Sequence, residues 1–390
     1  MAFDCYCAIC GVGFSGMRIG TPSEAAAKRR RQYVESVSRS LDRSRDRPPV
    51  PEDGEESMQS YDPRLVDQDN IAWTSQVHCL GLHEVNGKNK AFVSGPGYYA
   101  DAGELAVKMG QRARRTYFNC YGFGTDEAPG PVIPFHWCCF EILLRSLTGT
   151  TDPKNANLDV LYEVMMGMCN GSGSALRLAY GDDVAHAQGQ YWRCLPGAEV
   201  RIAFSVRHPT NTPNLKEFIQ TQLQTNETLH APSKSKDLNF GSRTPKSPFG
   251  ALPAELIYQI CSFLPGSSLK ALIQASPFIR LLTSDDYFWR CFIESDMPWL
   301  WQTRTATETE TEKNAQTEPE NQSVSQVLRS LASSSGLSLN HKQVYMWLDA
   351  ITAPKYGLED PTLMGIANRR RIWGACEELS RGYRAVAAAA

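Results

Sequence analysis

The sequence predicts an α+β fold that is mainly helical, and three observations lead to this prediction. Segments with apolar residues at helical spacing outnumber the short stretches that resemble strands. The strand signals fall within one part of the chain, residues 61–208. Three low-complexity segments divide the 390 residues, and a chain of this length is long enough for two or three compact domains.

Changes in composition predict the domain boundaries. The stretch "SRSLDRSRDRPPVPEDGEES" is charged and almost free of large apolar residues, so we expect it to be disordered. Two further stretches, "APSKSKDLNFGSRTPKSP" and "TRTATETETEKNAQTEPENQSVSQ", predict linkers. The chain then divides into a Cys-rich N-terminal segment (1–20), a disordered arm (21–60), a mixed α/β domain (61–208), a linker (209–247), a short helix cluster (248–301), a disordered linker (302–337) and a helical tail (338–384).

Local patterns predict both kinds of element in the mixed α/β domain. "AFVSGPGYY" and "LRLAY" are typical of strands or of strand–turn pieces. "FHWCCFEILLRSL" and "LDVLYEVMMGM" carry apolar residues at helical spacing. We expect Pro134 in the first turn of the first of these helices, a position that proline favours. In the tail, "VYMWLDAI" and "NRRRIWGACEELSRGY" predict helices.

Bulk composition narrows the classes of partner. The net charge of −2 and the pI of about 6.4 predict no nucleic-acid partner, although "KRRR" and "RRR" are short basic exceptions. No apolar run reaches the roughly 18 residues that a membrane helix needs, and the N-terminus lacks the pattern of a secretory signal. We therefore expect no membrane partner and a cytoplasmic or nuclear location. There the 12 cysteines should be thiols or metal ligands, because disulfides are rare in that compartment.

The spacing of cysteine and histidine predicts one structural zinc site. Cys7 and Cys10 are separated by two residues, the spacing at which a tight turn directs two thiolates to one metal. His136 and Cys139 stand three residues apart, so they should be neighbours on one helical face. Together they make a tetrahedral set of three cysteines and one histidine. Such a set leaves the metal no open position, which indicates a structural rather than a catalytic role.

Other interpretations of these residues stay open at this point. Cys138 and Cys139 precede an apolar run, and free cysteine often behaves as a small buried apolar residue. His78 and Cys79 could replace either half of the metal site. A redox role for the N-terminal cysteine pair is disfavoured, because no thioredoxin-like βαβ pattern surrounds it.

An apolar helical segment, Leu252 to Ile293, raises the question of what covers it. More than half of its residues are apolar, against 42% for the whole chain. A unit this short seldom buries so much apolar surface alone. Part of that surface should therefore face a partner. The alternative is that it packs on the rest of the same chain. Prolines and capping residues predict helices near 254–264, 268–275, 278–283 and 286–293, with Ser267 and Asp285 as N-caps.

The order of residues in this segment resembles the F-box motif. The resemblance begins with the Leu252-Pro253 pair, continues through Leu256 and Ile260, and ends near Trp289-Arg290. It implies that the helices dock onto a small Skp-type adaptor, which links them to a cullin–RING ubiquitin ligase. It also implies that Trp289 and Phe292 close the motif's own small core. By the same resemblance, the adaptor contacts are Leu252, Pro253, Leu256, Ile257, Ile260, Leu264, Leu269 and Leu272.

Most of the remaining chain resembles a group of fungal F-box proteins with no well-defined substrate. The similar stretches are "FHWCCFEIL", "LRLAYG", "QYWRCLPG", "MPWLW" and "NRRRIWGACEEL". The resemblance implies a non-catalytic substrate receptor for ubiquitin-dependent degradation, with an unidentified protein substrate. The alternative is a zinc-stabilised scaffold whose F-box-like helices are internal packing. A hydrolase built on His136 and Cys139 is disfavoured, because their spacing suits shared coordination and no third orienting group is evident.

Overall fold

The computed structural model of this chain confirms an α+β fold that is mainly helical. The described residues are 5–14, 16–20, 28, 60–101, 103–110, 114–122, 130–169, 174–194, 198–212, 215–230, 249, 252–302, 322–335, 338–355, 358 and 360–389. Almost all of the arm predicted to be disordered lies outside these residues. The chain forms two compact units: the first is Met1–Thr210 with Pro354–Ala390, and the second is Asn211–Ala353.

The helices and strands are numbered in chain order. The α-helices are α1 (Gln68–Ile71), α2 (Trp137–Thr148), α3 (Leu158–Gly167), α4 (Asp182–Ala187), α5 (Gln190–Arg193), α6 (Glu199–Val206), α7 (Leu215–Thr225), α8 (Ala254–Ser262), α9 (Gly266–Ala275), α10 (Pro277–Leu282), α11 (Asp286–Asp296), α12 (Val324–Ser335), α13 (His341–Ile351) and α14 (Pro361–Ala389). The strands are β1 (His78–Val85), β2 (Lys88–Val93), β3 (Gly97–Asp101), β4 (Glu104–Lys108), β5 (Arg115–Asn119), β6 (Ile133–Phe135), β7 (Trp301–Gln302) and β8 (Gln322–Ser323). Among the described residues, none of the helices combines the length and the apolar character needed to cross a bilayer.

Two three-stranded antiparallel sheets form in the first unit. One has the strand order β2-β1-β6, and its register pairs Leu80 with Val93 on one side and with Ile133 on the other. The second sheet has the order β3-β4-β5. Asn86 and Gly87 connect β1 to β2 with φ of 52° and 74°, the left-handed conformation that an Asn-Gly hairpin turn adopts. The chain leaves β6 directly into α2, the junction that carries two predicted metal ligands.

The long helix α14 packs against α2, α3 and α6 in the first unit. Asp360 caps its start, because the carboxylate accepts hydrogen bonds from the backbone N–H of Thr362 and Leu363 at 2.8 and 3.0 Å. Pro361 occupies the first helical position, where a missing N–H costs nothing. This packing brings the C-terminal part of the chain next to the helix that follows His136.

The second unit consists of α7 to α13 and the short ladder of β7 and β8. An aromatic cluster lies at its centre. Trp289 and Phe292 of α11 each contact Tyr345 of α13, with ring centroids 5.2 Å apart. The N–H of Gly266, the first residue of α9, donates to Asp296 Oδ1 at 2.9 Å. Trp289 and Phe292 are almost fully buried, as the resemblance of this segment implies.

Two segments predicted as linkers contain helices. Helix α7 lies within residues 209–247, and α12 lies within residues 302–337. Polar neighbours hide their apolar periodicity in the sequence. The predicted tail, residues 338–384, is divided between the two units. The buried residues at helical spacing are Leu215, Ile219 and Leu223 in α7, and Val324, Val327, Leu328 and Leu331 in α12.

Two local predictions in the first unit were wrong. Pro134 lies in β6 rather than in a helix. A proline is tolerated there because β6 is at the edge of its sheet, where a missing N–H leaves no ladder bond unmade. Helix α2 begins three residues later, at Trp137. "LRLAY" forms no strand: within the described residues 176–180, Leu176 alone makes an isolated bridge, to Cys169.

Helices α8 to α11 lie close to their predicted positions. Asp285 caps α11 as expected, since its carboxylate accepts a hydrogen bond from the N–H of Tyr287 at 3.2 Å. The N-cap of α9 is Pro265 rather than Ser267, because the helix already begins at Gly266. The hydrogen bond from the Gly266 N–H to Asp296 Oδ1 stabilises the two extra residues at the start of the helix.

Candidate metal centre and exposed helical face

A tight turn carries the first two predicted ligands, Cys7 and Cys10. The N–H of Gly11 donates to the carbonyl of Cys7 at 2.8 Å and closes the turn. Gly11 has a φ of +73°, and a Cβ at this position would lie 2.7 Å from Tyr180 Cγ. Glycine alone meets both conditions, because other residues are strained at this φ and would overlap the tyrosine.

The other two ligands lie where β6 meets α2. His136 is the N-cap of α2, and its carbonyl accepts a hydrogen bond from the N–H of Cys139 at 3.1 Å, so both residues belong to the first turn. The imidazole packs between Phe14 and Trp73, with ring centroids 4.6 and 4.7 Å away. His136 Nε2 lies 3.1 Å from the carbonyl oxygen of Thr74. That hydrogen bond requires the proton on Nε2 and leaves Nδ1 as the atom able to bind a metal.

The four donor atoms form a compact group. The thiol sulfurs of Cys7, Cys10 and Cys139 and a ring nitrogen of His136 all lie within 4.8 Å of one another. Cys10 Sγ and His136 Nδ1 are 3.5 Å apart. Ligand distances of about 2.3 Å for Zn–S and about 2.0 Å for Zn–N at a tetrahedral angle require a separation of about 3.5 Å. All four side chains are fully buried. The group therefore fits one structural zinc ion with four protein ligands.

The three thiols of this group differ in acidity. Burial raises the pKa of Cys10 and the pKa of Cys139 well above the ordinary value. Burial also raises the pKa of Cys7, but hydrogen bonds from the other two thiols and the nearby His136 lower it by more, so the pKa of Cys7 lies well below that value. Among the three thiols, the surroundings of Cys7 therefore favour the thiolate form most. A zinc ion would displace the remaining protons, which couples its binding to proton release.

A buried arginine lies beside the donor group. Arg371 of α14 donates from Nη1 to the carbonyl oxygens of Cys10 and Tyr180, at 2.6 and 3.0 Å. Its Nε and Nη2 donate to Asn368 Oδ1 at 3.2 and 2.8 Å. Zinc with three thiolates and one neutral histidine carries a net charge of −1, which the guanidinium balances. Sequence reasoning missed Arg371 because it stands within a short basic run, and no local pattern links it to Cys10.

The neighbouring candidates lie outside the donor group. His78 Nδ1 lies 3.0 Å from the carbonyl oxygen of Ser94, so this ring nitrogen is already engaged in a hydrogen bond. Burial raises the pKa of Cys79 to about 12, as in an inert thiol. Cys138 is buried on α2 but is not one of the four donors. The full burial of the donor group also weighs against a hydrolase, because a substrate has to reach the reacting atoms.

A second feature is an apolar stripe along α8, which we call the α8 stripe. It consists of Leu252, Leu256, Ile260 and Phe263, whose exposed fractions are 39%, 46%, 42% and 79%. Leu256, Ile260 and Phe263 are spaced by four and three residues, which puts these side chains on one side of the helix, and Leu252 lies two residues before the helix begins. The adjacent side of the helix carries Ile257 and Cys261, which are buried. Large apolar side chains that remain this exposed together are a feature of partner-binding surfaces.

The structure corrects part of the predicted set of adaptor contacts. Ile257 and Leu269 are 1% and 0% exposed, so they belong to the core of the second unit and are not available to a partner. Leu264 and Leu272 are half-buried. The exposed members of the predicted set are Leu252, Pro253, Leu256 and Ile260. Phe263 is also exposed but was not in the predicted set, although its spacing from Leu256 and Ile260 places it on the same side of the helix.

Comparison with known proteins identifies no relative. No protein-family model, no curated protein and no solved structure matches this chain.

Proposed function

We propose that this chain is the substrate-receptor subunit of a cullin–RING ubiquitin ligase and that its α8 stripe binds a Skp-type adaptor. The proposal starts from the resemblance of α8 to α11 to the F-box motif. A receptor of this kind performs no bond chemistry. It holds an unidentified protein substrate near a ubiquitin-charged enzyme and raises the effective concentration of an acceptor lysine to about millimolar. Such a complex acts in the cytosol or the nucleus.

The observation that carries the proposal is the exposure of one apolar face of α8. A helix of a globular protein normally turns its apolar face to the core and its polar face to water. Helix α8 buries Ile257 inside, yet it leaves Leu256 and Ile260 almost half exposed. An apolar groove on a partner would cover these side chains, and fully burying one such side chain contributes about 1.5–3 kcal/mol. The stripe is therefore suited to helix-in-groove binding.

The alternative is a zinc-stabilised scaffold whose F-box-like helices are internal packing. The metal centre is compatible with both functions, since a zinc ion without an open position stabilises a fold and activates no water. The two functions differ in what they require of Leu256 and Ile260. Internal packing requires both side chains to be covered by the rest of the chain, and both are exposed. This supports the receptor over the scaffold.

A double substitution in the α8 stripe tests the proposal. Leu256→Asp with Ile260→Asp should abolish co-purification of the adaptor with the tagged full-length chain, because two carboxylates cannot enter an apolar groove without a large loss of hydration. Both positions are exposed, so the circular dichroism spectrum and melting temperature should stay near those of the wild type.

The matched control is Ser262→Asp with Gln274→Asp. It adds the same two charges at exposed positions outside the stripe and should keep the adaptor bound. Adaptor binding that survives in the stripe variant would contradict the proposal. A wild-type chain that recruits no adaptor would favour the scaffold.

A further inference from the structure

The sheet β3-β4-β5 carries an aromatic and basic patch that the proposed function does not use. We call it the tyrosine patch, and it consists of Tyr98, Lys108, Arg114, Arg115 and Tyr117. These five side chains line an open hollow of about 490 Å³. The chain as a whole has a net charge of −2, so three cations around one hollow are a local departure from its composition.

The register of the sheet explains why the two tyrosines share a face. Ala106 in the central strand pairs with Tyr98 on one side and with Tyr117 on the other. Side chains directly opposite one another across a ladder point to the same face of a sheet. Ala106 is fully buried between them, whereas Tyr98 and Tyr117 are 39% and 58% exposed. Hydrogen bonding to Tyr98 raises the pKa of Tyr117, which is consistent with hydroxyls that lie close together.

The cations lie next to the rings. Lys108 pairs with Arg115 two positions further along β4 and β5, on the same face as Ala106 and Tyr117. The guanidinium of Arg115 lies 4.8 Å from the ring centroid of Tyr98. Within the described part of the chain, neither these two residues nor Arg114 forms an ion pair with a carboxylate. Glu104, on the same face of β4, lies at the opposite end of the ladder, paired with Asn119.

The net charge of the whole chain predicts no nucleic-acid partner, but on the local arrangement of rings and cations we propose that the tyrosine patch binds a short segment of single-stranded nucleic acid. Exposed aromatic rings interleaved with cations make a stacking platform, in which the rings take up bases and the cations contact phosphates. A phosphorylated peptide would engage the three cations but would leave the exposed ring of Tyr117 uncovered. The patch spans three strands and has three cations, which suits two or three nucleotides and binding in the micromolar range at physiological salt.

Binding of labelled oligonucleotides to the full-length chain tests this proposal. Fluorescence anisotropy with a ten-nucleotide oligouridylate and a ten-nucleotide oligothymidylate should give a micromolar Kd for at least one of them. The slope of log K against log salt should be about −2, since three phosphate contacts on a single strand contribute about 0.7 each. Arg114→Gln should make that slope shallower by about 0.7.

Two substitutions at one ring separate stacking from charge. Tyr117→Ser should weaken binding by about 5- to 150-fold, the range expected for the loss of one stacked base, whereas Tyr117→Phe should stay within about twofold of the wild type. Melting temperatures within a few degrees of the wild type would show that both variants fold.

Several results would overturn the proposal. They are no oligonucleotide binding at 100 µM, equal losses in the two Tyr117 variants, and tighter binding of a phosphoserine peptide than of either oligonucleotide. None of them bears on the adaptor, whose binding is measured separately through the α8 stripe.

Discussion

At the scale of single residues, the zinc centre depends on which thiols reach the metal. Cys10→Ser removes one of four ligands from a fully buried group, so the chain should lose most of its zinc. Cys138→Ser changes a buried cysteine outside the donor group and should keep about one zinc per chain. Metal analysis of the purified proteins measures this difference. A wild type that holds no zinc after purification in its presence would rule out the site.

Another single residue, His208, should control the pH dependence of stability. Burial, and then the charge of Arg369, lowers the pKa of His208 from 6.5 to about 4. The ring is therefore neutral in the folded chain at pH values where the unfolded chain already binds a proton. Above pH 6.5 this histidine does not lower the free energy of unfolding. As the pH decreases from 6.5 to 4, the free energy of unfolding falls by up to about 3 kcal/mol, because the unfolded chain binds the proton first.

The substitution His208→Asn tests this predicted pH dependence of stability. Asparagine can still accept the hydrogen bond that the Thr210 N–H donates to His208 Nδ1 at 3.3 Å, but it does not titrate. Urea unfolding at pH 7.5, 6.0 and 5.0 should show that wild-type stability falls more steeply than that of the variant. Parallel curves would mean that this histidine is not held neutral.

At the scale of elements, local patterns were predictable and tertiary contacts were not. The metal ligands could be predicted because each half of the site is a short motif, Cys7 with Cys10 and His136 with Cys139. Arg371 could not, because its bond to the Cys10 carbonyl joins residues 361 positions apart. Helix α7 was missed for another reason: only one face of it is apolar, and its polar residues resemble those of a linker.

The start of α9 is an element whose position depends on one small residue. The N–H of Gly266 donates to Asp296 Oδ1, and the hydroxyl of Tyr345 donates to Asp296 Oδ2 at 2.8 Å. A Cβ at Gly266 would overlap Tyr345 Oη and lie 2.6 Å from Asp296 Oδ2. Gly266→Ala should therefore lower the free energy of unfolding by about 1–3 kcal/mol, as overpacking does.

A second glycine serves as the control for this prediction. Gly374 lies inside α14, and apart from its chain neighbours and the helix backbone no atom lies within 4 Å of where a Cβ would stand, so Gly374→Ala should stabilise the chain by about 0.5–1 kcal/mol. Tyr345→Phe, added to Gly266→Ala, removes the overlapping hydroxyl and should restore part of the loss. Urea unfolding monitored by tryptophan fluorescence measures all three variants. A neutral Gly266→Ala would contradict the close packing of α9, α11 and α13.

At the scale of the whole molecule, the metal centre joins segments that are distant in the sequence. The turn from Cys7 to Cys10, the junction at His136 and the helix that carries Arg371 all belong to the first unit. The N-terminal turn is short and has little secondary structure of its own, so its order depends on these contacts. Ligands that bind the folded state alone stabilise the region that they connect. Zinc should therefore stabilise one unit selectively.

Amide hydrogen exchange, measured before and after a chelator removes the zinc, tests this selectivity. Exchange should accelerate in residues 5–14, in the first turn of α2 and around Arg371 in α14. It should be unchanged in α8 to α11, because all four ligands belong to the first unit. Cys10→Ser should reproduce the accelerated pattern without chelator, and chelator should then add nothing, which excludes a direct effect of the reagent. Acceleration spread evenly over both units would instead mean that the metal stabilises the entire chain.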